Sequence, residues 1–542
     1  MNEGLHIFRG LAPVQVEGRL RRCGIEVDPG ALTRQAKRKE TGESRTYIHG
    51  QDPVSYKQHY RVIIFNLAVL ECHPLGAGAA MGSVLRGAGR LWNGADANGR
   101  IEYGTSHEHT GEQAGNGREE RSGNGHGGYE YEREERSAGR HSGDGNEQEE
   151  RSAGGHSGDG NGREVRSAGG HSGDGNEREE RSADRHGGHE NEEVGESRRE
   201  VRGAAGVLQT TAVRALYSLG LDSGEVELRA MGGRRYAVTG ITPLMPEPGA
   251  PLPEPYRSAS AELDRRLGLE QPGRPGLLMG MDPEFLLLRE STGRVVPASR
   301  HLPTDGIAGC DAGPPGTRGV FPVAELRPAP RGNPRALLAQ LMSAAREADR
   351  LIADRSLGWR AGGMPLRGWA LGGHLHFSGV TLCAPLLRAL DNYLALPMFL
   401  LEDVRAAARR PRYGVLGDFR LQPHGGFEYR TLPSFLVSPV IAKGAVALAH
   451  LIVSHYEDLP LRPLDREDLH AAYYNGDKTP LRAAWPPLEA QLRGLGGYAE
   501  AARWIGPLLR AIAAQRTWDE SRDIRGSWLG SAPSVSGALP PS

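Results

Sequence analysis

The chain has 542 residues, with 66 basic and 67 acidic side chains and a formal net charge of −1. This even balance argues against nucleic acid or an anionic membrane surface as a partner. No run of about 18 apolar residues occurs, and the N-terminus lacks a basic start followed by an apolar core, so we expect a cytoplasmic protein. The four cysteines lack the spacing of a zinc or redox motif and are expected to be reduced, partly buried thiols.

Two segments separated by a long insertion predict a small N-terminal domain. The predicted elements are strands at 24–28 and 60–71, a helix at 207–219, and a hairpin at 224–242 that turns at Gly232 and Gly233. We expect 1–92 and 206–245 to form one small α+β domain. No cluster of chemically active side chains marks either segment.

The insertion at 93–205 is a tandem repeat, in which Arg-Ser and His each recur every 15 residues. A unit such as RSAGGHSGDGNEQEE has no large apolar side chain, so it cannot bury enough surface to offset the entropy cost of ordering. We therefore expect disorder. Two other interpretations are weaker: the spaced His and acidic residues could bind metal, and Gly-Asp-Gly-Asn resembles calcium-binding repeats, which have a period of about nine residues with an apolar residue in each unit.

A second domain is predicted at 276–460, after a Pro-rich linker at 246–275 and before a helical extension at 461–542. Its first strand is apolar except for Asp282 and Glu284, and a spacing of two places both carboxylates on one face of a strand. Burying two carboxylates costs free energy unless a cation neutralises them. The strand therefore predicts a cationic partner.

Three further segments of this domain repeat the spacing of two. They carry Glu325 and Arg327 in VFPVAELRP, His374 and His376 in WALGGHLHFSG, and Glu428 and Arg430 in FEYR. Arg420 precedes a turn at Gly425 and Gly426 that could return it to Glu428. If these segments are strands of one sheet, the polar pairs converge on a single face.

The chemistry of the four pairs favours a metal and phosphate site. Carboxylates with an imidazole suit Mg²⁺ or Mn²⁺, and guanidinium groups bind phosphoryl oxygens. Each pair alone is as well explained by a surface ion pair or a half-exposed histidine. Four compatible pairs in one domain favour a shared site, and the chain has no Walker-type phosphate loop and no dinucleotide fingerprint.

Five motifs of this domain resemble, in order, the phage-type COOH-NH₂ ligase family of amidoligases. They are GMDPEFLLL, GCDAG, AELRP, GGHLHFSG and YGVLGDFRLQPHGGFEYRTLPSFLVSP. That family is similar to glutamine synthetase and glutamate–cysteine ligase. The resemblance covers about 276–460 and implies an α+β fold of the glutamine synthetase type, with a curved antiparallel sheet backed by helices. It also implies ATP and a carboxylate substrate meeting over two or three Mg²⁺ or Mn²⁺ ions.

The resemblance also implies roles for individual residues. The implied metal ligands are Glu284, Glu325, His374 and Glu428, with Asp282 as a weaker candidate, and the implied phosphate contacts are Arg420 and Arg430, with Arg327 as a further candidate for nucleotide binding. His376 ranks below His374, because only the first histidine matches the metal ligand of glutamine synthetase. The motif DPE stands where glutamine synthetase has two glutamates spaced by one residue, which leaves the number of metals open. We assign Asp311 in GCDAG to the amine site.

The implied reaction is ligation of a carboxylate to an amine. The carboxylate attacks the γ-phosphate of ATP, and the amine then displaces phosphate from the acyl phosphate to form an isopeptide-like amide. Two alternatives stay open: a phosphotransferase acting on a guanidino or other nitrogen on the same fold, and a non-catalytic scaffold whose repeat binds metal or partners. The acid and amine, small molecules or peptides, are not identified by the sequence, and a homo-oligomer is left open.

Overall fold

The structure, a computed structural model, describes residues 4–41, 59–75, 205–317 and 319–530. These residues belong to one compact unit, Met1–Ile101 together with Glu192–Ser542. The prediction of disorder at 93–205 lies outside the described residues except at residue 205, which is the first residue of a helix. Within the described ranges, no helix is long and apolar enough to cross a membrane.

The segments before and after the insertion share one five-stranded sheet. Its strands are β1 (Glu26–Val27), β2 (His59–Phe65), β3 (Ala68–Pro74), β4 (Ser223–Gly232) and β5 (Arg235–Pro243), in the order β1-β5-β4-β2-β3. The helices of this part are α1 (Leu5–Gly10), α2 (Pro13–Arg22), α3 (Ala31–Thr41) and α4 (205–218). β1 runs parallel to β5 and the other pairs are antiparallel. The boundaries of the predicted domains stay predictions.

The prediction of a single strand at 60–71 is wrong. The chain turns between β2 and β3 at Asn66 and Leu67, whose φ angles are 45° and 71°. The apolar pattern concealed this turn because it is buried: Leu67 is 4% exposed, and the Asn66 side chain accepts a hydrogen bond from the Ala384 amide at 2.9 Å. Asparagine tolerates the left-handed region better than most residues.

The second part of the chain is built on an eight-stranded antiparallel sheet. Its strands are β6 (Leu278–Arg289), β7 (Arg294–Val296), β8 (Ala308–Asp311), β9 (Val323–Leu326), β10 (Leu357–Arg360), β11 (Gly373–Ser378), β12 (Phe419–Leu421) and β13 (Phe427–Tyr429). The order is β12-β13-β11-β6-β9-β8, and β7 and β10 pair with the second half of β6. One face is buried and apolar, with Phe377 and Phe427 in contact at 5.3 Å between ring centroids. The predicted α+β class with an antiparallel sheet is confirmed.

Helices cover the apolar side of this sheet and form the C-terminal extension. They are α5 (Tyr256–Leu267), α6 (Pro334–Leu351), α7 (Ala384–Leu390), α8 (Leu396–Leu401), α9 (Pro439–Ser454), α10 (Glu467–Asn475), α11 (Lys478–Gly494), α12 (Tyr498–Ala513) and α13 (Arg525–Leu529). Asn333 and Ser438 cap α6 and α9, each accepting a hydrogen bond from a backbone amide of the first turn.

The sequence predicts a helical region at 385–410 that bends at Pro397, and the structure is more irregular there. A π-helical segment, Asp391–Ala395, separates α7 from α8, and a 3₁₀ segment, Val404–Arg409, follows. Pro397 lies just after the π-helical segment. Because proline lacks an amide hydrogen, the regular hydrogen-bond ladder cannot continue through it, and the wider turn accommodates the break.

Candidate functional site

Strand pairing brings the four polar pairs onto one face of the eight-stranded sheet. The residues that lie opposite one another across neighbouring strands are Arg420 with Glu428, Glu428 with His376, His374 with Asp282, and Glu284 with Glu325. Their strands, from β12 to β9, are consecutive in the sheet. His374 and Glu428 are 3.4 Å apart between Nδ1 and Oε1. The convergence that the spacing of two predicts is therefore present.

Glu428 lies at the centre of this face, and its side chain is fully buried. One of its oxygens, Oε2, accepts hydrogen bonds from Arg420 Nε at 2.6 Å and from Gln422 Nε2 at 2.9 Å. The other, Oε1, is paired with Arg430. Gln422 was not predicted as a site residue, although it lies two positions after Arg420 and strand alternation could have identified it.

Three side chains present ligand atoms that are close enough to share a cation. One atom from each of Asp282, His376 and Glu428 lies within 4.8 Å of the other two. Asp282 Oδ1 and His376 Nε2 are buried, and their partners lie within the site itself: Asp282 Oδ1 is 3.2 Å from His374 Nδ1, and His376 Nε2 is 3.0 Å from Asp282 Oδ2. Two carboxylates with one imidazole suit Mg²⁺ or Mn²⁺. The donor set fits the metal that the sequence predicts. His376 belongs to this group, and the role of His374, whose Nδ1 atom is 3.4 Å from Glu428 Oε1, stays a prediction.

His374 also lies against Asp282, with the His374 Nδ1 atom 3.2 Å from Asp282 Oδ1. Burial alone would lower the pKa of His374, but Asp282 and Glu284 outweigh it and raise the pKa above its ordinary value. Burial likewise disfavours the Asp282 carboxylate, yet the two histidines hold its pKa well below the usual range. These shifts favour the charged form of His374 beside the Asp282 carboxylate.

Gly372 allows the close approach of His374 to the strand end. A Cβ atom at this position would lie 2.2 Å from His374 Nε2, so a side chain would displace the ring. The Gly372 amide also donates a hydrogen bond to Glu284 Oε2 at 2.7 Å. Gly372, the first residue of GGHLHFSG, thus leaves room for the His374 imidazole and donates a hydrogen bond to a predicted metal ligand.

Glu284 and Glu325 face each other across β6 and β9. Arg327 donates a hydrogen bond to Glu325 Oε2 at 2.6 Å and further bonds to the carbonyl oxygens of Thr304 and Cys310. Burial raises the pKa of Glu284, and burial followed by the charge of Asp282 raises the pKa of Glu325 to about 9. Opposed like charges destabilise an antiparallel pair, which favours a proton on one of these two carboxyl groups when no cation is bound. Both residues stay predicted metal ligands. A second cation between them would reduce the repulsion between their two carboxylates.

Replacing Glu325 with glutamine should therefore stabilise the metal-free protein. The pKa of Glu325 is raised from 4.5 to about 9. Its contribution to the free energy of unfolding is therefore full below pH 4.5, falls steadily as the pH rises from 4.5, and is lost once the pH passes 9. This linkage amounts to about 4–5 kcal/mol near pH 8, and loss of the ion pair with Arg327 offsets part of it. We therefore expect Glu325→Gln to raise the free energy of unfolding by about 2–4 kcal/mol near pH 8, and by less than about 1 kcal/mol near pH 5. Urea unfolding in EDTA at both pH values measures this difference. Equal stabilities near pH 8 would contradict it.

The remaining predicted site residue, Asp311, ends β8 and is exposed. Its carboxylate accepts a hydrogen bond from the Ala312 amide at 2.7 Å. Asp311 lies two positions after Gly309, which pairs with Glu325, so it continues the same face of the sheet. Its role at the amine site stays a prediction.

The cysteines take no part in this arrangement. All four are free and buried, as predicted. Burial raises the pKa of Cys72 and of Cys383 to about 11, which disfavours the thiolate form that a nucleophile requires.

Residues 279–529 match the family model described as "Phage phiEco32-like COOH.NH2 ligase-type 2". This segment is therefore similar to that ligase family. The matched segment begins in β6 and ends in α13, so it contains every predicted site residue. It also extends beyond the predicted end at 460 and includes most of the helical extension.

Two solved structures have weaker similarity to the chain. A bifunctional glutathione synthetase from Pasteurella multocida aligns with 49% of this chain and 51% of its own, at 12% identity and a TM-score of 0.30. A novel glutamine synthase homolog aligns over 52% of this chain and 74% of its own, at 15% identity and a TM-score of 0.23. The chain thus spans about half the length of the glutathione synthetase. No curated protein matches the sequence.

Proposed function

We propose that the protein is an ATP-dependent carboxylate–amine ligase that forms an amide through an acyl phosphate. The observation that carries the proposal is the juxtaposition of a ligand group, Asp282, His376 and Glu428, with the guanidinium groups of Arg420 and Arg430. The family match of residues 279–529 supplies the reaction class. Mg²⁺ or Mn²⁺, when bound, would neutralise phosphate charge and orient the nucleotide.

The ion pairs of the site join a carboxylate that could bind a cation to two guanidinium groups that could bind phosphate. Glu428 is buried and paired with Arg420 and Arg430, so its negative charge is balanced by the protein itself. An ATP molecule and a divalent cation arrive with opposite charges. The cation can take the place of the arginines at Glu428, and the phosphate can take the place of Glu428 at the arginines, without leaving a buried charge unpaired.

The two arginines differ in exposure, which suits different tasks. The side chain of Arg420 is 59% exposed and that of Arg430 is 28% exposed. A guanidinium group has five N–H donors, so each retains donors for phosphoryl oxygens beyond those directed at Glu428. We assign Arg430 to the transferring γ-phosphoryl group, where water must be excluded, and Arg420 to the α- and β-phosphates.

Turnover of ATP in the presence of hydroxylamine tests the acyl phosphate. Purified protein is incubated with ATP, Mn²⁺ and pooled carboxylic acids, with hydroxylamine or pooled amines as the acceptor. We expect ADP and phosphate release that requires an acid, together with a hydroxamate or an amide product detected by mass spectrometry. A stable phosphorylated product without an amide would instead favour the phosphotransferase, and no nucleotide turnover with any pool would count against both enzymes.

A further inference from the structure

A buried carboxylate supports the β12–β13 ribbon from the side opposite the metal ligands. Asp391 is 3% exposed and begins the π-helical segment between α7 and α8. Its Oδ1 atom accepts hydrogen bonds from the Tyr429 hydroxyl at 2.7 Å and the Gly417 amide at 3.0 Å, and Oδ2 accepts one from the Tyr217 hydroxyl at 2.8 Å. One carboxylate thus joins β13, the loop before β12, and helix α4.

Helix α4 belongs to the part of the chain with the five-stranded sheet, yet it contacts the loop that leads into β12 at two points. The ring of Tyr217 packs on Gly417 so closely that a Cβ there would lie 2.1 Å from a ring carbon, and Gly417 has a φ of +68°. One turn earlier in α4, Arg214 donates a hydrogen bond to Asp418 at 3.1 Å. Only glycine combines this backbone conformation with this contact.

Tyr217 is itself held in place from its other side. The guanidinium group of Arg388 lies 4.4 Å from the centre of its ring. Arg388 is buried, is paired with Asp465 at 3.2 Å, and donates a hydrogen bond to the Leu221 carbonyl oxygen at 3.1 Å. The tyrosine hydroxyl therefore has a defined position from which to orient Asp391.

The ribbon needs such support because its own sheet contacts are few. β12 and β13 have three residues each, and β12 pairs with β13 alone among the described strands. Short edge strands have weak ladders, so their orientation depends on contacts outside the sheet. Tyr429 lies between Glu428 and Arg430 in the sequence, and a shift of its ring would move both neighbours.

We propose that Asp391 and Tyr217 are positioning residues that hold the ribbon with Arg420, Glu428 and Arg430 in the geometry required to bind the cation and ATP. The inference rests on the proposed function. It gives the N-terminal part of the chain a role in the site, through α4.

The test compares Tyr217→Phe, Asp391→Ala and Asp391→Asn with a matched control, Tyr393→Phe. Tyr393 is also buried, lies in the same π-helical segment, and directs its hydroxyl to Gln491 and Leu461 rather than to the ribbon. Each Tyr→Phe change removes one buried hydroxyl, so the two variants should lose similar stability. The measurements are Mn²⁺ affinity and hydrogen exchange of the backbone at 415–430.

Tyr217→Phe and Asp391→Ala should weaken Mn²⁺ binding by about 10-fold or more and speed exchange at 415–430, because residues supporting ligands affect metal affinity on this scale. Tyr393→Phe should change neither. The Mn²⁺ affinity of Asp391→Asn should stay within about 3-fold of the wild type, because the amide oxygen still accepts from Tyr429 and Gly417, and its NH₂ can donate to the Tyr217 oxygen.

The proposal would be overturned if Tyr217→Phe had the Mn²⁺ affinity and the exchange rates of the wild type, even if Asp391→Ala does not fold. If the wild type itself binds no Mn²⁺, the proposed function fails, whereas the exchange measurement still decides the positioning role.

Discussion

Glu428→Gln should lower Mn²⁺ affinity by more than about 100-fold and abolish detectable ATP turnover. Loss of a residue that only supports a metal ligand costs about 10–100-fold, and loss of a charged ligand should cost more. Glutamine preserves the shape of the side chain but removes the negative charge that Arg420, Arg430 and the cation share. The carboxylate is fully buried, so water cannot replace it. Titration calorimetry with Mn²⁺ and an assay for ADP release measure the two effects.

The control for this experiment is Glu290→Gln. Glu290 lies just beyond the end of β6, is paired with Arg360, and is 52% exposed, so its charge is solvated and lies outside the ligand group. We expect Mn²⁺ affinity and ADP release of this variant to stay within about 2-fold of the wild type, as is usual for an exposed ion pair. If Glu428→Gln is folded and binds Mn²⁺ as tightly as Glu290→Gln does, Glu428 is not a metal ligand.

Glu402→Ala should lower the free energy of unfolding by about 3–5 kcal/mol. Glu402 and Arg410 form an ion pair in which the side chains are 2% and 1% exposed. The Arg410 guanidinium also lies against the rings of Phe399 and Tyr473, at 5.1 and 4.7 Å from their centres. Without Glu402, the positive charge would stay in an apolar environment with no carboxylate to balance it. Urea unfolding at pH 7 followed by circular dichroism measures the loss.

The double variant Glu402→Leu with Arg410→Met distinguishes a lost ion pair from a lost contact. Two apolar side chains of similar volume leave no charge unpaired, so we expect most of the stability to return. A double variant as unstable as Glu402→Ala would mean that shape at this position matters more than charge. A loss below about 1 kcal/mol in Glu402→Ala would mean that water reaches Arg410.

The sequence by itself determined which side chains could share a face. A spacing of two on a strand is a property of the backbone, so Asp282 with Glu284 and His374 with His376 were recognisable before any fold was known. The turn at Gly425 and Gly426 likewise predicted that Arg420 returns to Glu428, and the two are opposite each other. The caps at Asn333 and Ser438 depend on neighbouring residues alone and were equally predictable.

Only the tertiary structure decided which of these side chains lie within ligand distance of each other. Both histidines share a face. Strand register and side-chain direction bring His376 into the group with Asp282 and Glu428, and they place His374 Nδ1 3.2 Å from Asp282 and 3.4 Å from Glu428. No local pattern distinguishes the two, because the distances depend on how β6, β11 and β13 align. The support from Tyr217 to Asp391 joins residues 174 positions apart. Such contacts arise from packing between elements that are distant in the sequence, so spacing along the chain cannot predict them.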